Sequence, residues 1–177
     1  MGETILILGG ARSGKSRLAE TLAEEHRPVT FIATAVEFAN DAEMTRRIER
    51  HRTDRPQHWT TLEVPRELET ELPKVVGQEG SVLIDCVTLW LTNLMLGLGG
   101  GSALEDDAIL ATVERAAHLG KDRARTIWVS NEVGSGVVPE SALGRRFSDL
   151  QGLANQRLAT AADRVLLCVA GLTIRLK

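Results

Sequence analysis

Short apolar runs recur along the chain and alternate with longer stretches of helical spacing. Runs of consecutive apolar residues are typical of strands that are buried on both faces of a parallel sheet. These runs occupy residues 5–8, 29–34, 81–85, 126–130 and 164–169. The stretches with helical spacing are residues 16–25, 40–52 and 141–162. Because strands and helices alternate in this order, the pattern predicts an α/β fold with a mostly parallel sheet and helices on both faces.

The last residues of the chain follow a different pattern. After Gly171, apolar and polar residues alternate over 172–177. Such alternation is typical of a strand with one solvated face, and a glycine before it suits a tight turn. The sequence therefore predicts a C-terminal hairpin at the edge of the sheet.

The length of the chain indicates one domain. A chain of 177 residues suits a single α/β domain with a substantial core, here residues 1–177, and the sequence has no internal repeat or low-complexity linker. Glycine-rich segments at 97–107 and 131–140 predict irregular connections, and the first of them is expected to be a mobile surface loop.

The composition of the chain limits the kinds of molecule that it is expected to bind. The formal net charge is -3 and the pI is about 5.8, so no general electrostatic attraction draws the chain to nucleic acid or anionic lipid. Aromatic residues are only 3% and tyrosine is absent, which argues against a base-stacking platform. No apolar stretch is long enough to span a bilayer, and the first residues lack the features of a signal peptide. We therefore expect a cytoplasmic protein that binds a small molecule, with Cys86 and Cys168 as free core residues.

The strongest motif lies where the first predicted strand is followed by the first predicted helix. Residues 9–16 match G-x-x-x-x-G-K-S/T, the pattern of a phosphate-binding loop. Its glycines let backbone N–H groups turn around a phosphate, and the helix that follows adds its positive N-terminal end. Lys15 is predicted to reach the β- and γ-phosphates, and Ser16 is predicted to bind Mg²⁺. The candidate nucleotide-binding residues of the loop are Gly9, Gly10, Ala11, Arg12, Ser13, Gly14, Lys15 and Ser16.

An acidic residue ends the third apolar run. Asp85 follows Ser81–Ile84, and the carboxyl end of such a strand is where phosphate-loop enzymes place an acid for the metal ion or its water. The alternative is that Asp85 caps the helix beginning at Val87.

One of the four histidines lies in a strongly basic segment. His51 follows Arg46, Arg47 and Arg50 and precedes Arg52. Neutral imidazole is a nucleophile near pH 7, and neighbouring arginines would hold a polyphosphate against it. The spacing also fits a solvated helix face rich in arginine and glutamate. His26 and His118 close helical stretches and are expected to be structural.

Several segments together resemble a known family. Besides residues 9–16, the sequence contains FIATA at 31–35, H-x-x-x-R-P-x-x-W at 51–59 and N-E-V-G-x-G-x-V-P at 131–139. In this order, and over nearly the whole chain, the sequence is similar to the adenosylcobinamide kinase / adenosylcobinamide-phosphate guanylyltransferase family. The resemblance implies a RecA-like phosphate-loop NTPase fold and a homo-oligomer, with a trimer expected.

The resemblance also implies two reactions. The enzyme would phosphorylate adenosylcobinamide with ATP or GTP, and would then transfer GMP from GTP to that phosphate, releasing pyrophosphate. His51 would carry the covalent GMP, whereas His58 lies outside the matching position. Mg²⁺ would be the metal, bound by Ser16 and Asp85. Some relatives have glutamate at the position of Asp85, and the shorter aspartate would then bind the metal through water. Further GTP contacts implied by the resemblance are Thr34, Ala35, Val36, Arg52, Thr53, Asp54, Arg55, Glu63 and Asp85.

Alternative readings remain open for the residues outside the loop. Glu63 suits a guanine N–H edge or a ribose hydroxyl, and it equally suits an exposed strand end. A simple phosphate-loop kinase would use His51 only as a charged helix residue. A nucleotide-dependent switch would need neither the histidine nor a corrinoid.

Overall fold

The computed structural model describes residues 2–36, 46, 52–53, 55–122 and 124–177. Seven strands and five helices have described bounds, and Arg46, Arg52 and Thr53 are helical as well. The strands are β1 (Thr4–Gly9), β2 (Val29–Ala33), β3 (Thr60–Glu63), β4 (Ser81–Asp85), β5 (Arg125–Asn131), β6 (Arg164–Val169) and β7 (Leu172–Arg175). The helices are α1 (Lys15–Glu24), α2 (Leu68–Val76), α3 (Val87–Leu96), α4 (Asp106–Leu119) and α5 (Ala142–Ala161).

All seven strands belong to one sheet. Their order is β3-β2-β4-β5-β1-β6-β7. The first six strands are parallel, whereas β7 pairs antiparallel with β6 at the edge. This confirms the predicted mostly parallel sheet and the C-terminal edge hairpin. Because parallel strands end at the same edge, the residues that follow β1 to β5 lie along one line.

Helices cover both faces of the sheet. Side chains alternate across a strand, so Ile5 and Ile7 of β1 pack on the side where α1 contributes Ala19 and Ala23. Leu6 joins a larger cluster on the opposite face, which contains buried residues of the other four helices. The fully buried Trp90 of α3 lies there with its ring centroid 6.4 Å from that of Trp128, so Trp90 is a core residue.

The glycine-rich segment after α3 is more closely held than its sequence indicates. Arg66, only 7% exposed, donates hydrogen bonds to the carbonyl oxygens of Asn93, Leu98 and Ser102 at 2.6, 3.2 and 2.8 Å. The sequence predicts a mobile loop over 97–107, but this buried guanidinium binds its first half, and α4 already begins at Asp106. Most of the helix predicted over 40–52 lies outside the described residues.

Candidate active site

The loop between β1 and α1 requires glycine at two positions. A Cβ at Gly9 would lie 2.5 Å from the Ser13 Oγ and 2.6 Å from the Cys168 carbonyl oxygen. Gly14 has a φ of +96°, a left-handed conformation that other residues adopt only with strain. The predicted strand, loop and helix are therefore present in the order and position that a phosphate-binding loop needs.

Two polar side chains of this loop are buried within it. Lys15 is 8% exposed, and its Nζ donates to the carbonyl oxygen of Gly10 at 3.0 Å. The Ser13 Oγ is buried and has no hydrogen-bond partner among the described residues. Buried polar groups are nearly always hydrogen-bonded in folded proteins, so a hydroxyl of this kind fits a loop that binds an anion. Ser16 is half-buried in the first turn of α1, so its hydroxyl also lies near the positive end of the helix.

Asp85 lies at the same edge of the sheet, at the end of β4. The strand β5 separates β4 from β1, and neighbouring strands are about 4.8 Å apart, so Asp85 lies roughly 10 Å across the sheet from Ile7, two residues before the loop begins. The N-cap residue of α3 is Cys86, whose side chain makes no capping hydrogen bond among the described residues, and Asp85 is the residue before it.

The donors at this edge fit magnesium bound together with a nucleotide. A hydroxyl from Ser16 and a carboxylate from Asp85 are the oxygen ligands that Mg²⁺ prefers, and this ion usually takes its remaining ligands from phosphates and water. Within the described part of the chain, no three His, Cys, Asp or Glu side chains form a metal-binding group.

Thr34 connects the end of β2 to the residue after Asp85. Its side chain is fully buried, and its Oγ1 donates to the Cys86 carbonyl oxygen at 2.7 Å and accepts from the Cys86 N–H at 2.9 Å. Asn93 of α3, also buried, donates through Nδ2 to the Thr34 carbonyl oxygen at 2.7 Å. The Thr34 hydroxyl is thus engaged inside the protein, where it fixes the position of the Asp85 turn.

The segment before β3 brings arginine to this edge. The Arg55 guanidinium carbon lies 3.8 Å from the centroid of the Phe31 ring, a cation–π contact. Burial lowers the pKa of Arg55, while the nearby charge of Asp85 acts in the opposite direction. Arg52 forms an ion pair with Glu63 at the end of β3.

A cleft of about 600 Å³ opens beside these arginines. It is lined by Arg52, Thr53, Arg55, Pro56, Gln57, Trp59, Thr61 and Glu63. Glu63 and Gly9 end strands four positions apart, which corresponds to roughly 19 Å along the edge. The loop and this cleft therefore lie at different places along the same edge, and the carboxylate of Glu63 in the cleft is paired with Arg52.

Trp59 anchors the segment that carries Arg55. Its ring is buried and stacks on Phe31 with centroids 6.1 Å apart. Its indole N–H donates to the carboxylate of Glu24 in α1. The sequence motifs predict no role for Phe31, Glu24 or Asn93. Trp59, which contacts both Phe31 and Glu24, is the tryptophan of the motif H-x-x-x-R-P-x-x-W.

Some predicted site residues lie outside the described residues. His51 and Asp54 are among them, so their roles stay predictions. The structure places the loop and Asp85 at one edge of the sheet, and it places Arg55 in the cleft with Arg52, Thr53 and Glu63, where the charge of Asp85 still reaches it. Ala35 and Val36 are half-buried after β2, and Arg12 is exposed with a φ of +56°.

Comparison with known protein families shows to which family this chain belongs. A family model described as cobinamide kinase / cobinamide phosphate guanyltransferase matches residues 5–176. The chain belongs to this family. The resemblance stated from the motifs is thereby confirmed, as is the expectation of an enzyme, and neither the simple kinase nor the switch is favoured.

Curated relatives agree with membership of the cobinamide kinase / guanyltransferase family. The bifunctional adenosylcobalamin biosynthesis protein CobP of Pseudomonas aeruginosa is 49% identical over 97% of this chain and 96% of its own length. The bifunctional adenosylcobalamin biosynthesis protein CobU of Salmonella typhimurium is 42% identical over 98% of this chain and 99% of its own length. The Escherichia coli protein of the same name is 41% identical over 98% of this chain and 99% of its own length.

Solved structures of more distant proteins support the fold alone. The assembled ATPase EscN of the enteropathogenic E. coli type III secretion system matches 96% of this chain with a TM-score of 0.57 and 13% identity. A prototypical ATPase from the type III secretion system of pathogenic bacteria matches 94% with a TM-score of 0.55 and 14% identity. This chain corresponds to 43% and 51% of those two chains. The phosphate-loop NTPase fold is confirmed.

No helix in the described part of the chain is both long enough and apolar enough to cross a bilayer.

Proposed function

We propose that the protein, as one domain over residues 1–177, phosphorylates adenosylcobinamide and then transfers GMP to the phosphate it has made. The observation that supports this most is that a phosphate-binding loop and Asp85 lie at one sheet edge, with Arg55 close enough to feel the charge of Asp85, in a chain of the cobinamide kinase / cobinamide phosphate guanyltransferase family. The two reactions share the nucleotide site and differ in the phosphorus atom attacked.

In the kinase step, the hydroxyl of adenosylcobinamide attacks the γ-phosphorus of ATP or GTP. A bond forms from the hydroxyl oxygen to phosphorus, the bond to the β-phosphate oxygen breaks, and the hydroxyl proton passes to solvent or a base. Lys15 would hold the β- and γ-phosphates, and the N–H groups of Gly9 to Ser16 would bind phosphate oxygens. Mg²⁺ held by Ser16 and Asp85, the latter directly or through water, would offset the charge of the phosphates.

In the second step, a ring nitrogen of His51 attacks the α-phosphorus of GTP. A phosphorus–nitrogen bond forms and the bond to pyrophosphate breaks. A phosphate oxygen of adenosylcobinamide phosphate then attacks the same phosphorus, which gives adenosylcobinamide-GDP and returns His51 to its starting state. Covalent catalysis of this kind divides one displacement into two, each with a good leaving group.

The arginines after His51 are proposed to hold the phosphates during this transfer. Arg55 is partly buried and fixed over Phe31, so its planar guanidinium is already oriented. The remaining contacts proposed for GTP are Thr34, Ala35, Val36, Arg52, Thr53, Asp54 and Glu63. Because the Thr34 hydroxyl bonds to Cys86, residues 34–36 would contact nucleotide mainly through backbone and the two apolar side chains. Glu63 would recognise the guanine N–H edge or a ribose hydroxyl.

The proposal extends to the surroundings of the enzyme. We place it in the cytoplasm, as a homo-oligomer and specifically a trimer, with adenosylcobinamide and its phosphate as partners and GTP and ATP as nucleotides.

Position-specific labels test both reactions in one preparation. The protein would be incubated with Mg²⁺, adenosylcobinamide and GTP carrying the label at either the γ- or the α-phosphorus. The γ-label should enter adenosylcobinamide phosphate, and the α-label should enter adenosylcobinamide-GDP after a transient stay on the protein. Transfer of the γ-label without any α-label in product would reduce the function to that of a kinase.

A further inference from the structure

The turn between β6 and β7 packs directly against the phosphate-binding loop. The Gly171 N–H donates to the carbonyl oxygen of Ser13 at 2.9 Å. A Cβ on Gly14 would lie only 3.3 Å from the Gly171 Cα, and a Cβ on Gly9 would lie 2.6 Å from the Cys168 carbonyl oxygen. The C-terminal hairpin thus contacts the loop at its beginning and near its end.

The conformation of the turn makes this contact available. Ala170 and Gly171 have φ values of +51° and +79°, and Val169 pairs with Leu172 on either side of them. This is the arrangement of a two-residue hairpin turn in which both central residues are left-handed. Gly171 lies outside the strand ladder, so its N–H is turned to the loop instead of to a neighbouring strand.

The hydrogen bond from Gly171 is accepted by the peptide unit that joins Ser13 to Gly14. The N–H of this same unit is part of the phosphate-binding loop. In a planar trans peptide the C=O and the N–H point in opposite directions. Since the Ser13 carbonyl is bound by the hairpin, the N–H of Gly14 in the same unit is directed away from the hairpin. Successive N–H groups directed to one side form an anion-binding concavity.

We propose that Gly171 is a positioning residue for the nucleotide site, which holds the Ser13–Gly14 peptide so that the Gly14 N–H faces the β-phosphate of a bound nucleotide. The proposal rests on the nucleotide site of the proposed function and concerns binding only. It predicts that a change at Gly171 lowers the affinity for GTP and GDP, which carry a β-phosphate, but not the affinity for GMP, which has none. A residue that served only the stability of the hairpin would not separate these ligands.

The test compares Gly171→Val with Gly171→Asn. Among the described residues, no heavy atom lies within 4 Å of a Cβ at this position, so both side chains fit there. A φ of +79° is strongly disfavoured for β-branched valine and tolerated by asparagine. Calorimetric titration should give GTP and GDP affinities about tenfold lower for the valine variant, as expected for the loss of one hydrogen bond. The asparagine variant should bind both like the unaltered protein, and GMP should bind all three proteins equally.

A single-atom change isolates the hydrogen bond if the valine variant unfolds. Native Cys168 allows residues 168–177 to be joined by chemical ligation, with glycolate replacing Gly171 so that an ester oxygen takes the place of the N–H. The ester protein should lose affinity for GTP and GDP and keep its affinity for GMP. Equal losses for all three nucleotides, or unchanged GTP binding by the ester protein, would overturn the positioning role. Absence of GTP binding by the unaltered protein would overturn the proposed function as well.

Discussion

The indole N–H of Trp59 donates a hydrogen bond to the carboxylate of Glu24 in the last turn of α1. The same carboxylate lies 2.9 Å from the Nε2 of His58 and pairs with Arg27. Because α1 begins at Lys15, this cluster joins the helix of the phosphate-binding loop to the segment that follows His51. The two parts of the proposed GTP site are therefore held together through Glu24.

Replacement of Glu24 by glutamine should destabilise the protein in a pH-dependent way. The hydrogen bond from Trp59 is the main cause that lowers the pKa of Glu24 below its ordinary value of 4.5. A carboxylate whose pKa is lower in the folded state stabilises the fold above its unfolded pKa, and this contribution is lost as pH falls through the folded pKa. Glu24→Gln should therefore lower the midpoint of urea unfolding at pH 7, and the difference should vanish in strong acid.

The matched control is Glu79→Gln at an exposed position. Its urea midpoint should equal that of the unaltered protein at both pH values. A Glu24→Gln defect of the same size at pH 7 and in acid would contradict the role of the ionised carboxylate.

Thr34→Val should lower the free energy of unfolding by about 1–3 kcal/mol, since it removes two buried hydrogen bonds between the Thr34 hydroxyl and the backbone of Cys86, whose carbonyl oxygen still accepts from the Trp90 N–H. Valine has nearly the shape of threonine, so little of the loss would come from packing. Thr34→Ser retains the hydroxyl and should be the milder change. Urea unfolding of the three proteins gives the comparison, and a serine variant less stable than the valine variant would contradict the account.

Arg66→Met should loosen the glycine-rich segment after α3. The change removes the donor for three backbone carbonyls, and hydrogen bonds to a charged group each contribute about 1.5–3 kcal/mol. Hydrogen exchange of residues 97–103 should become faster, while the strands of the sheet keep their protection. The control Arg157→Met removes an ion pair with Glu114 whose side chains are about half exposed, and it should have little effect. Unchanged exchange in 97–103 would contradict the role of Arg66.

Lys15→Met should reduce both half-reactions by about a hundredfold or more, because a preorganised charge on the phosphates would be lost. The thermal midpoint should change little, since methionine retains most of the buried stem of lysine. Lys74→Met, which removes an exposed ion pair with Glu71, should keep full activity. Initial rates of phosphate and GMP transfer provide the readout, and a loss confined to one half-reaction would argue against a shared site.

The central strands and the loop could be predicted from the sequence because their signals are local. A buried parallel strand such as β4 appears as a short apolar run, and the loop appears as a motif at a strand-to-helix junction. β3 is not among the predicted apolar runs, because it is an edge strand with the pattern Thr-Thr-Leu-Glu and mostly exposed side chains. α2 is short and contains Pro73, a residue that normally argues against a helix.

The supports of the site could not be predicted from the sequence. The Thr34 hydroxyl bonds to a residue 52 positions away, and Trp59 bonds to one 35 positions away. The first pair follows from the pairing of β2 with β4, and no local pattern encodes either long-range contact. The role of His51 depended on the family resemblance, because a basic helix face has the same spacing.

The measurement that tests the central claim most directly is the intact mass of the protein after incubation with GTP and Mg²⁺. Unaltered protein should gain one acid-labile GMP, and His51→Ala should gain none. His58→Ala is the matched control, since this exposed histidine contacts Glu24, and it should gain GMP like the unaltered protein. GMP on the His51→Ala protein, or no GMP on the unaltered protein although it binds GTP, would contradict guanylyl transfer through His51.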